Sequence, residues 1–285
     1  MDLPVYFIRH KWDNYEDGIK IVNILEDEKR IAIHFNEEEK ESFEEYSEEN
    51  QNNKTFKSAW DILKDLRKSG AIVVANYNKG RCLIGEVEPN SKIEFLPHSY
   101  GVRRGYKTLR LRNTQTKKYS DFPLLPILFP PMRTISKLSN NKDKFVKCVY
   151  EGKELPFELD SLFPKIQEQM CVEWLRSKHC NPEFRLEYLL LGIGGTMEAI
   201  DIYGITNKEK ELVAQVTFTK ANKEIDIKKE SLKTFSKEDS IKLFFLRGDT
   251  RKEEGINFIS LQDIWNDFAK DDDGNKMLKN MLGQK

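Results

Sequence analysis

Three polar residues in the second half of the chain have the types and spacing of a hydrolytic site. Asp201 opens the segment Asp-Ile-Tyr-Gly, while Gln215 and Thr217 lie in the apolar segment 211–219. Side chains alternate along a strand, so Gln215 and Thr217 share one face if this segment is extended. Divalent-metal hydrolysis of a phosphodiester requires hard oxygen ligands, an attacking water and a positive group. An acid at one strand end and an amide on the next strand can hold the metal.

The positive group is missing from its expected position. A lysine two residues after Gln215 would point the same way, but Thr217 stands there. Lys220 lies five residues past Gln215, on the opposite face of a regular strand, so it can serve only where a bulge or turn redirects the chain. The alternative interpretation is that Asp201 caps a turn and Gln215 is an ordinary strand amide.

The elements that would position these residues follow the order α-β-β-β-α-β-β-α. We predict helices at 164–178, 228–235 and 261–268, and strands at 185–191, 199–205, 212–219, 241–246 and 256–260. A helix between strands predicts a mixed sheet flanked by helices, in the α+β or α/β class.

The first half of the chain predicts a small, twisted β-barrel with one or two helices. Its predicted strands are 5–9, 30–35, 71–77, 81–88, 91–95 and 107–111. The segment 56–68 places Phe56, Trp60, Leu63 and Leu66 on one helical stripe, and 37–54 is expected to be a mobile charged connector. Clustered prolines place the domain boundary, which gives domains 1–121 and 164–285 with an irregular connector at 122–163.

Charge is balanced overall but unevenly distributed, since Lys plus Arg and Asp plus Glu each number 47. Cations interleaved with tyrosines fill the segment 99–119: Arg103, Arg104, Lys107, Arg110, Arg112, Lys117 and Lys118, with Tyr100, Tyr106 and Tyr119. Cations suit phosphates and rings suit bases, so this segment predicts a nucleic-acid face on which Arg110 and Arg112 share one strand surface. The alternative is a solvated strand with a basic hairpin tip.

Other classes of site have little support in the sequence. The four cysteines form no C-x-x-C pair, and the four histidines show no ligand or triad spacing, so zinc sites and nucleophilic catalysis are not expected. The N-terminus has no signal pattern and no apolar run approaches 18 residues. We therefore expect a reduced, soluble, cytoplasmic protein without a membrane partner.

Residues from about 164 to 270 resemble the Mrr-like branch of the restriction-endonuclease-like nucleases, the PD-(D/E)xK superfamily. The resemblance rests on a helix with Glu168 and Glu173, a Gly-rich strand reaching Asp201-Ile-Tyr-Gly, Gln215-Val on the next strand, and a following helix and apolar strand. It implies Mg²⁺ as the cofactor, Asp201 and Gln215 as the metal site, and Glu173 as an added acid. Thr217 departs from the family's lysine, which leaves Lys220 as the fallback.

The N-terminal half is similar, more loosely, to the PUA/EVE-like domains that are fused to Mrr-like nucleases. The similar features are Tyr6-Phe-Ile-Arg, Ile31-Ala-Ile, the helix with Trp60, Ala71-Ile-Val-Val-Ala and Ile84-Gly-Glu-Val. The resemblance implies that a modified DNA base enters an aromatic pocket. Its candidates are Trp12, Tyr15, Trp60, Tyr77 and Tyr100, of which Trp12 suits a pocket best and Trp60 suits the core.

Together these features give three hypotheses. The first is a prokaryotic anti-phage defence protein that binds DNA, modified or not, and cleaves it with Mg²⁺. The second is a catalytically inactive nuclease-fold protein that binds DNA. The third is a protein-interaction subunit of a defence system. Because the nuclease family commonly dimerises, a homodimer is a further alternative.

Overall fold

The computed structural model describes residues 3–10, 16–34, 37–77, 79–97, 100–101, 105–128, 134–139, 141–191, 200–218 and 221–284. The chain divides into two compact units, Met1–Leu155 and Pro156–Lys285. None of the described helices combines the length and apolar character needed to cross a lipid bilayer. The protein is a mixed α and β protein, and each unit is described separately below.

The first unit contains two sheets. The larger is mixed, in the order β7-β4-β3-β1-β8, with β1 (Val5–Arg9) parallel to β3 (Ala71–Asn76) and the other pairs antiparallel. Its remaining strands are β4 (Arg81–Val87), β7 (Arg112–Lys118) and β8 (Ile135–Lys137). The smaller sheet is antiparallel, with β6 (Lys107–Arg110) between β2 (Arg30–Ile33) and β5 (Glu94–Phe95).

The helices of the first unit are α1 (Glu16–Asp27), α2 (Glu48–Asn52), α3 (Lys54–Ser69) and α4 (Lys142–Glu151). The side chain of Asn53 accepts hydrogen bonds from the N–H groups of Thr55 and Phe56 and so caps α3. The helix ends at Gly70, which has a φ of 71°. The predicted apolar stripe is buried in the core, which confirms the amphipathic character of this helix.

The barrel predicted for the first half is wrong for the described residues. Their strands form two open sheets, and β7 and β8 are the unjoined edges of the larger one. The chain passes from the smaller sheet to the larger at Leu111, between β6 and β7. A continuous ladder through both sheets, which a barrel needs, is therefore not formed.

Two segments expected to be irregular contain ordered elements. In 37–54, the carboxylate of Glu38 accepts hydrogen bonds from Ser47 and Asn50, and Tyr46 is buried against the core. The segment 122–163, expected to be a connector, instead supplies β8 and α4 to the first unit. The boundary between the units follows Leu155, later than the proline cluster.

The second unit contains a mixed six-stranded sheet in the order β13-β14-β12-β11-β10-β9. Its strands are β9 (Leu186–Leu191), β10 (Ile202–Thr206), β11 (Glu211–Val216), β12 (Ile241–Leu246), β13 (Arg251–Glu253) and β14 (Ile256–Ser260). Strands β11, β12 and β14 are parallel, and the other pairs are antiparallel. Its helices are α5 (Pro164–Arg176), α6 (Asn222–Phe235), α7 (Leu261–Ala269) and α8 (Asp272–Met281).

Helices α5 and α6 pack on opposite faces of this sheet. Phe245 contacts Trp174 of α5, with 6.2 Å between the ring centroids. The preceding residue, Phe244, belongs to an apolar cluster with Leu232 of α6. Because neighbouring strand residues point to opposite faces, these contacts assign the two helices to two faces. The prediction of a mixed sheet with helices is confirmed at this level.

Candidate active site

Asp201 and Gln215 are in direct contact where β10 begins and β11 ends. Ile202 of β10 pairs with Ala214 of β11 in an antiparallel ladder. Asp201, which precedes Ile202, therefore lies beside Gln215, which follows Ala214. Gln215 Nε2 donates a hydrogen bond to Asp201 Oδ2 at 2.7 Å, and the N–H of Val216 donates to the same oxygen at 2.7 Å. The structure therefore brings the predicted acid and amide together.

The amide oxygen of Gln215 is left without a hydrogen bond. Its side chain is only 3% exposed, and Oε1 has no partner among the described residues. A buried polar atom without a partner is uncommon and costs about 1–3 kcal/mol. A bound ion or a water molecule beside this oxygen would supply the missing interaction.

The pKa of Asp201 is raised above its ordinary value, first because burial disfavours the charged carboxylate. The negative charge of Glu168 raises it further, whereas the hydrogen bond from Val216 and the positive charges of Lys228 and Lys165 oppose the shift. A bound cation would favour the ionised carboxylate for the same electrostatic reason. The carboxylate thus lies in a mixed field supplied by two helices.

Helix α5 supplies an acid to this site, but at Glu168. The charges of Glu168 and Asp201 both raise the pKa of the buried Cys171 thiol, after burial itself. Glu173 lies five residues further along α5, a rotation of about 140° from Glu168. Its carboxylate accepts a hydrogen bond from Gln169 at 2.8 Å. Glu168 is therefore the acid of α5 whose charge acts on Asp201, and it also pairs with Lys165 at 2.9 Å.

Helix α6 supplies a cation that the sequence patterns did not single out. Lys228 Nζ donates to the carbonyl oxygen of Val216 at 3.4 Å, and its charge acts on Asp201. Thr217 is fully buried, and its hydroxyl oxygen has no partner in the described part of the chain. Lys220, the fallback cation of the sequence analysis, lies outside the described residues. Sequence spacing could not identify Lys228, because only the packing of α6 against β11 brings its ammonium close to the residue after Gln215.

The available donors suit a hard cation. Among the described residues, there is no group of three or more His, Cys, Asp or Glu side chains arranged for a metal. The donors here are instead the carboxylate of Asp201 and the unpartnered amide oxygen of Gln215, with the carboxylate of Glu168 acting on the same region. Oxygen donors of this kind match Mg²⁺ better than softer metals.

The residues predicted to contact nucleic acid differ in how exposed their side chains are. Lys107 is fully buried, with its ammonium 5.0 Å from the ring centre of Tyr46 and 5.5 Å from that of Phe56. Burial lowers its pKa to about 8, against the opposing effect of Glu38 and Glu39. The prediction that Lys107 contacts a phosphate is therefore wrong, because its ammonium lies in the aromatic core.

Arg110 and Arg112 are both exposed, but they do not share a strand face. Arg110 ends β6 and Arg112 begins β7, and these strands belong to different sheets. Arg112 also pairs with Glu88 at 3.1 Å. Because the chain changes sheets between them, strand alternation does not relate their side chains.

The other residues predicted to contact DNA or to line an aromatic pocket have different surroundings. Lys117 lies over the ring of Phe122 at 5.2 Å, and the hydroxyl of the half-buried Tyr100 contacts the carboxylate of Glu28. Tyr77, an aromatic-pocket candidate, is buried and donates to the carbonyl oxygen of Arg30 at 2.6 Å, so it belongs to the core. The remaining candidates lie outside the described residues: Trp12, Tyr15, Arg103 and Arg104.

Comparisons of the chain with protein-family models, curated proteins and solved structures found no match. The resemblances to restriction-endonuclease-like nucleases and to PUA/EVE-like domains therefore stay predictions.

Proposed function

We propose that the second unit is a divalent-metal-dependent nuclease domain that hydrolyses DNA phosphodiesters. The observation that supports this proposal most directly is the contact between Asp201 and Gln215, which leaves a buried amide oxygen without a partner beside a carboxylate. If Gln215 had only a structural role, we would expect its amide oxygen to accept a hydrogen bond from a neighbouring residue.

Asp201 and Gln215 would hold Mg²⁺, with Glu168 as a further acid in the same field. A divalent ion held there would supply Lewis-acid chemistry for the phosphate and for an attacking water. The N–H of Val216 fixes Asp201 Oδ2 at 2.7 Å and so holds the carboxylate in place. A ligand fixed in this way loses little conformational freedom when it binds an ion.

Lys228 would provide the positive charge that Thr217 does not. It is linked to Asp201 through a single residue, since Val216 donates its N–H to Asp201 and accepts from Lys228 with its carbonyl oxygen. A lysine at this point can bind a phosphate oxygen and stabilise the charge that develops on it. Lys228 thus takes the role for which sequence spacing offered only Lys220.

The wider proposal is a cytoplasmic DNA-binding protein of prokaryotic anti-phage defence, with a restriction-endonuclease-like second unit and a PUA/EVE-like first unit. Exposed Arg110 and Arg112 support DNA binding by the first unit, because cations reach the phosphate backbone only from the surface. Strand β9 is one edge of the second sheet and exposes Tyr188 and Leu190, so it offers a surface for a second copy or a defence-system partner.

A cleavage assay with a matched control tests the nuclease proposal. Supercoiled plasmid is incubated with wild type, Asp201→Asn, Lys228→Ala and Asp239→Asn in Mg²⁺ or Mn²⁺. Asp239 precedes β12, which runs parallel to β11, so it lies at the other end of these strands from Asp201 and its substitution should leave cleavage unchanged. We expect Asp201→Asn and Lys228→Ala each to lower the rate by about a hundredfold or more. Equal cleavage by wild type and Asp201→Asn would exclude this site.

A second function, DNA binding without hydrolysis, is favoured by one observation. Thr217 is buried at the position where a cation would accompany Gln215, and the ammonium of Lys228 is directed to a main-chain carbonyl. This function predicts salt-sensitive DNA binding with no cleavage by wild type in any divalent metal. The plasmid assay, run beside a binding titration, separates the two functions.

A further inference from the structure

The first unit contains a cavity that borders Trp60 and that the proposed nuclease function does not use. It has a volume of about 290 Å³ and lies between α3, the segment 41–44 and the turn that follows β4. Its lining residues are Glu41, Ser42, Phe43, Glu44, Trp60, Lys64, Arg67, Lys68, Asn90 and Ile93. This volume is just below the range of about 300–1,000 Å³ for small-molecule sites, so it suits one small ligand at most.

The floor of this cavity is apolar and aromatic. Phe43 and Ile93 are half-buried against the core, and the ring centroids of Phe43 and Trp60 are 6.4 Å apart. Trp60 is held in place by edge contacts with Tyr46 and Phe56. A rigid floor of this kind favours a flat, partly apolar ring, because little side-chain freedom is lost when the ring binds.

One wall of the cavity is positive. Lys64, Arg67 and Lys68 follow Trp60 on α3 at spacings of three and four residues, so they lie along one helix surface above it. None of their side chains has an ion pair or hydrogen bond among the described residues. Cations in the last turn of a helix interact favourably with its dipole, which accounts for Arg67 and Lys68 but not for Lys64.

Carboxylates also line the cavity, since Glu41 and Glu44 border it. Cations from α3 and carboxylates from 41–44 therefore border the same space. A matching ligand has an anionic group at one end, hydrogen-bond donors at the other, and a flat ring between them. A nucleotide has this arrangement, because its phosphate is separated from the amino and hydroxyl donors of its base and sugar.

We propose that this cavity binds a nucleoside monophosphate, with the phosphate on Lys64, Arg67 and Lys68 and the base against Phe43, Trp60 and Ile93. The carboxylates of Glu41 and Glu44 accept hydrogen bonds from the base or sugar. The same chemical group occurs in a free nucleotide and at the phosphorylated end of a DNA strand. The site lies in the first unit and does not depend on hydrolysis by the second.

Calorimetric titration of the full chain tests the proposal with three small ligands: adenosine monophosphate, adenosine and inorganic phosphate. Adenosine monophosphate should bind about tenfold or more tightly than either fragment, because only it engages both the cations and the aromatic floor. A single-stranded oligonucleotide with and without a 5′-phosphate distinguishes the two sources of the group. Preference for the phosphorylated oligonucleotide over the free nucleotide assigns the site to strand ends, and the reverse order assigns it to free nucleotides.

Two variants locate the binding. The double variant Lys64→Ala/Lys68→Ala should lower the affinity for adenosine monophosphate by about tenfold or more, because charged hydrogen bonds to the phosphate are lost. Lys57→Ala removes a cation from the same helix outside the cavity and should leave affinity unchanged. Thermal unfolding of each variant shows that the fold is retained. Failure of wild type to bind, equal binding of phosphate alone, or equal effects of both variants would overturn the proposal, whatever the plasmid assay shows.

Discussion

Gln215 donates its amide N–H to Asp201 and keeps its own amide oxygen buried without a partner among the described residues. An ion held by both side chains would satisfy that oxygen and neutralise the carboxylate at once. The relationship between these two residues therefore yields predictions about metal binding and about pH that do not require cleavage to be observed.

Replacing Gln215 by Glu should make stability strongly dependent on a divalent cation. Two carboxylates would then face each other, and their repulsion should lower the free energy of unfolding by about 1–3 kcal/mol without metal. Mg²⁺ or Mn²⁺ should restore it, because an ion that binds only the folded state stabilises that state. Thermal unfolding with and without metal measures this effect. The same metal response in Gln215→Glu, wild type and Asp201→Asn would contradict an ion at this site.

The stability of the second unit should carry a pH dependence that comes from Asp201. Its pKa is raised above the ordinary 3.8, mainly by burial and further by Glu168, so the folded state keeps a proton that the unfolded chain has released. Rising pH through that window therefore lowers the free energy of unfolding contributed by this group. Asp201→Asn does not titrate, so it should gain stability relative to wild type as pH rises from the acidic range towards neutrality. Urea unfolding at several pH values measures this difference, which must grow with pH rather than stay constant.

Lys107 should produce the opposite pH dependence in the first unit. Burial lowers its pKa from 10.5 to about 8, so between these values the unfolded chain binds more protons than the folded one. Its contribution to stability therefore rises with pH across that window. Lys107→Met fills the aromatic site without a charge and should not show this rise. The difference between the urea unfolding curves of wild type and Lys107→Met at pH 7.5 and pH 10 tests the assignment, because the pKa of Lys107 moves from 10.5 in the unfolded chain to about 8 in the folded one.

DNA affinity should respond to Arg110 and Arg112 but not to Lys107. The double variant Arg110→Ala/Arg112→Ala should weaken binding and reduce the salt slope by about 2, because each phosphate contact that forms releases about one counterion and two such contacts would be lost. Lys107→Met is the internal control, because the Lys107 ammonium of the wild type is buried and cannot reach the phosphates of a DNA duplex. Fluorescence anisotropy with a labelled duplex at several salt concentrations measures both. A weaker complex with Lys107→Met and an unchanged one with the arginine variant would reverse our assignment of this surface.

Gly204 should be intolerant of any side chain. A Cβ atom at this position would lie 2.4 Å from the carbonyl oxygen of Tyr188 on β9, so the backbone of one strand would have to shift. Gly204→Ala should therefore lower the free energy of unfolding by about 2–4 kcal/mol. Gly248→Ala is a matched control, because its nearest contact would be an ordinary 3.5 Å to Leu246. Urea unfolding of both variants tests the close approach of β9 and β10, and equal stabilities would argue against it.

The parts of the structure that the sequence predicted well depend on local periodicity. The contact between Asp201 and Gln215 follows from two adjacent strands and alternation of side chains, and the buried stripe of α3 follows from helical spacing. Strand β13 consists of three exposed charged residues and has no apolar pattern, whereas α8 is amphipathic but opens with Asp, Gly and Asn, which mask its few apolar residues. Sequence analysis therefore predicted neither.

The residues that were misplaced depend on tertiary contacts. The sequence of a basic, tyrosine-rich segment does not indicate whether a given lysine faces solvent or aromatic rings. Lys107 faces rings because Tyr46 and Phe56 pack around β6. Arg110 and Arg112 lost their shared face because the sheet changes between them. Lys228 was missed because only the packing of α6 against β11 brings its ammonium to Val216.

The order of strands in the second sheet has a consequence for how the site assembles during folding. Asp201 and Gln215 are only 14 positions apart and meet through the β10–β11 hairpin, so closing this short loop carries a small entropic penalty. Lys228 reaches the same place only after the crossover through α6 brings β12 alongside β11. The Asp201–Gln215 pair can therefore form with the hairpin, whereas Lys228 joins it only when the parallel strands have packed together.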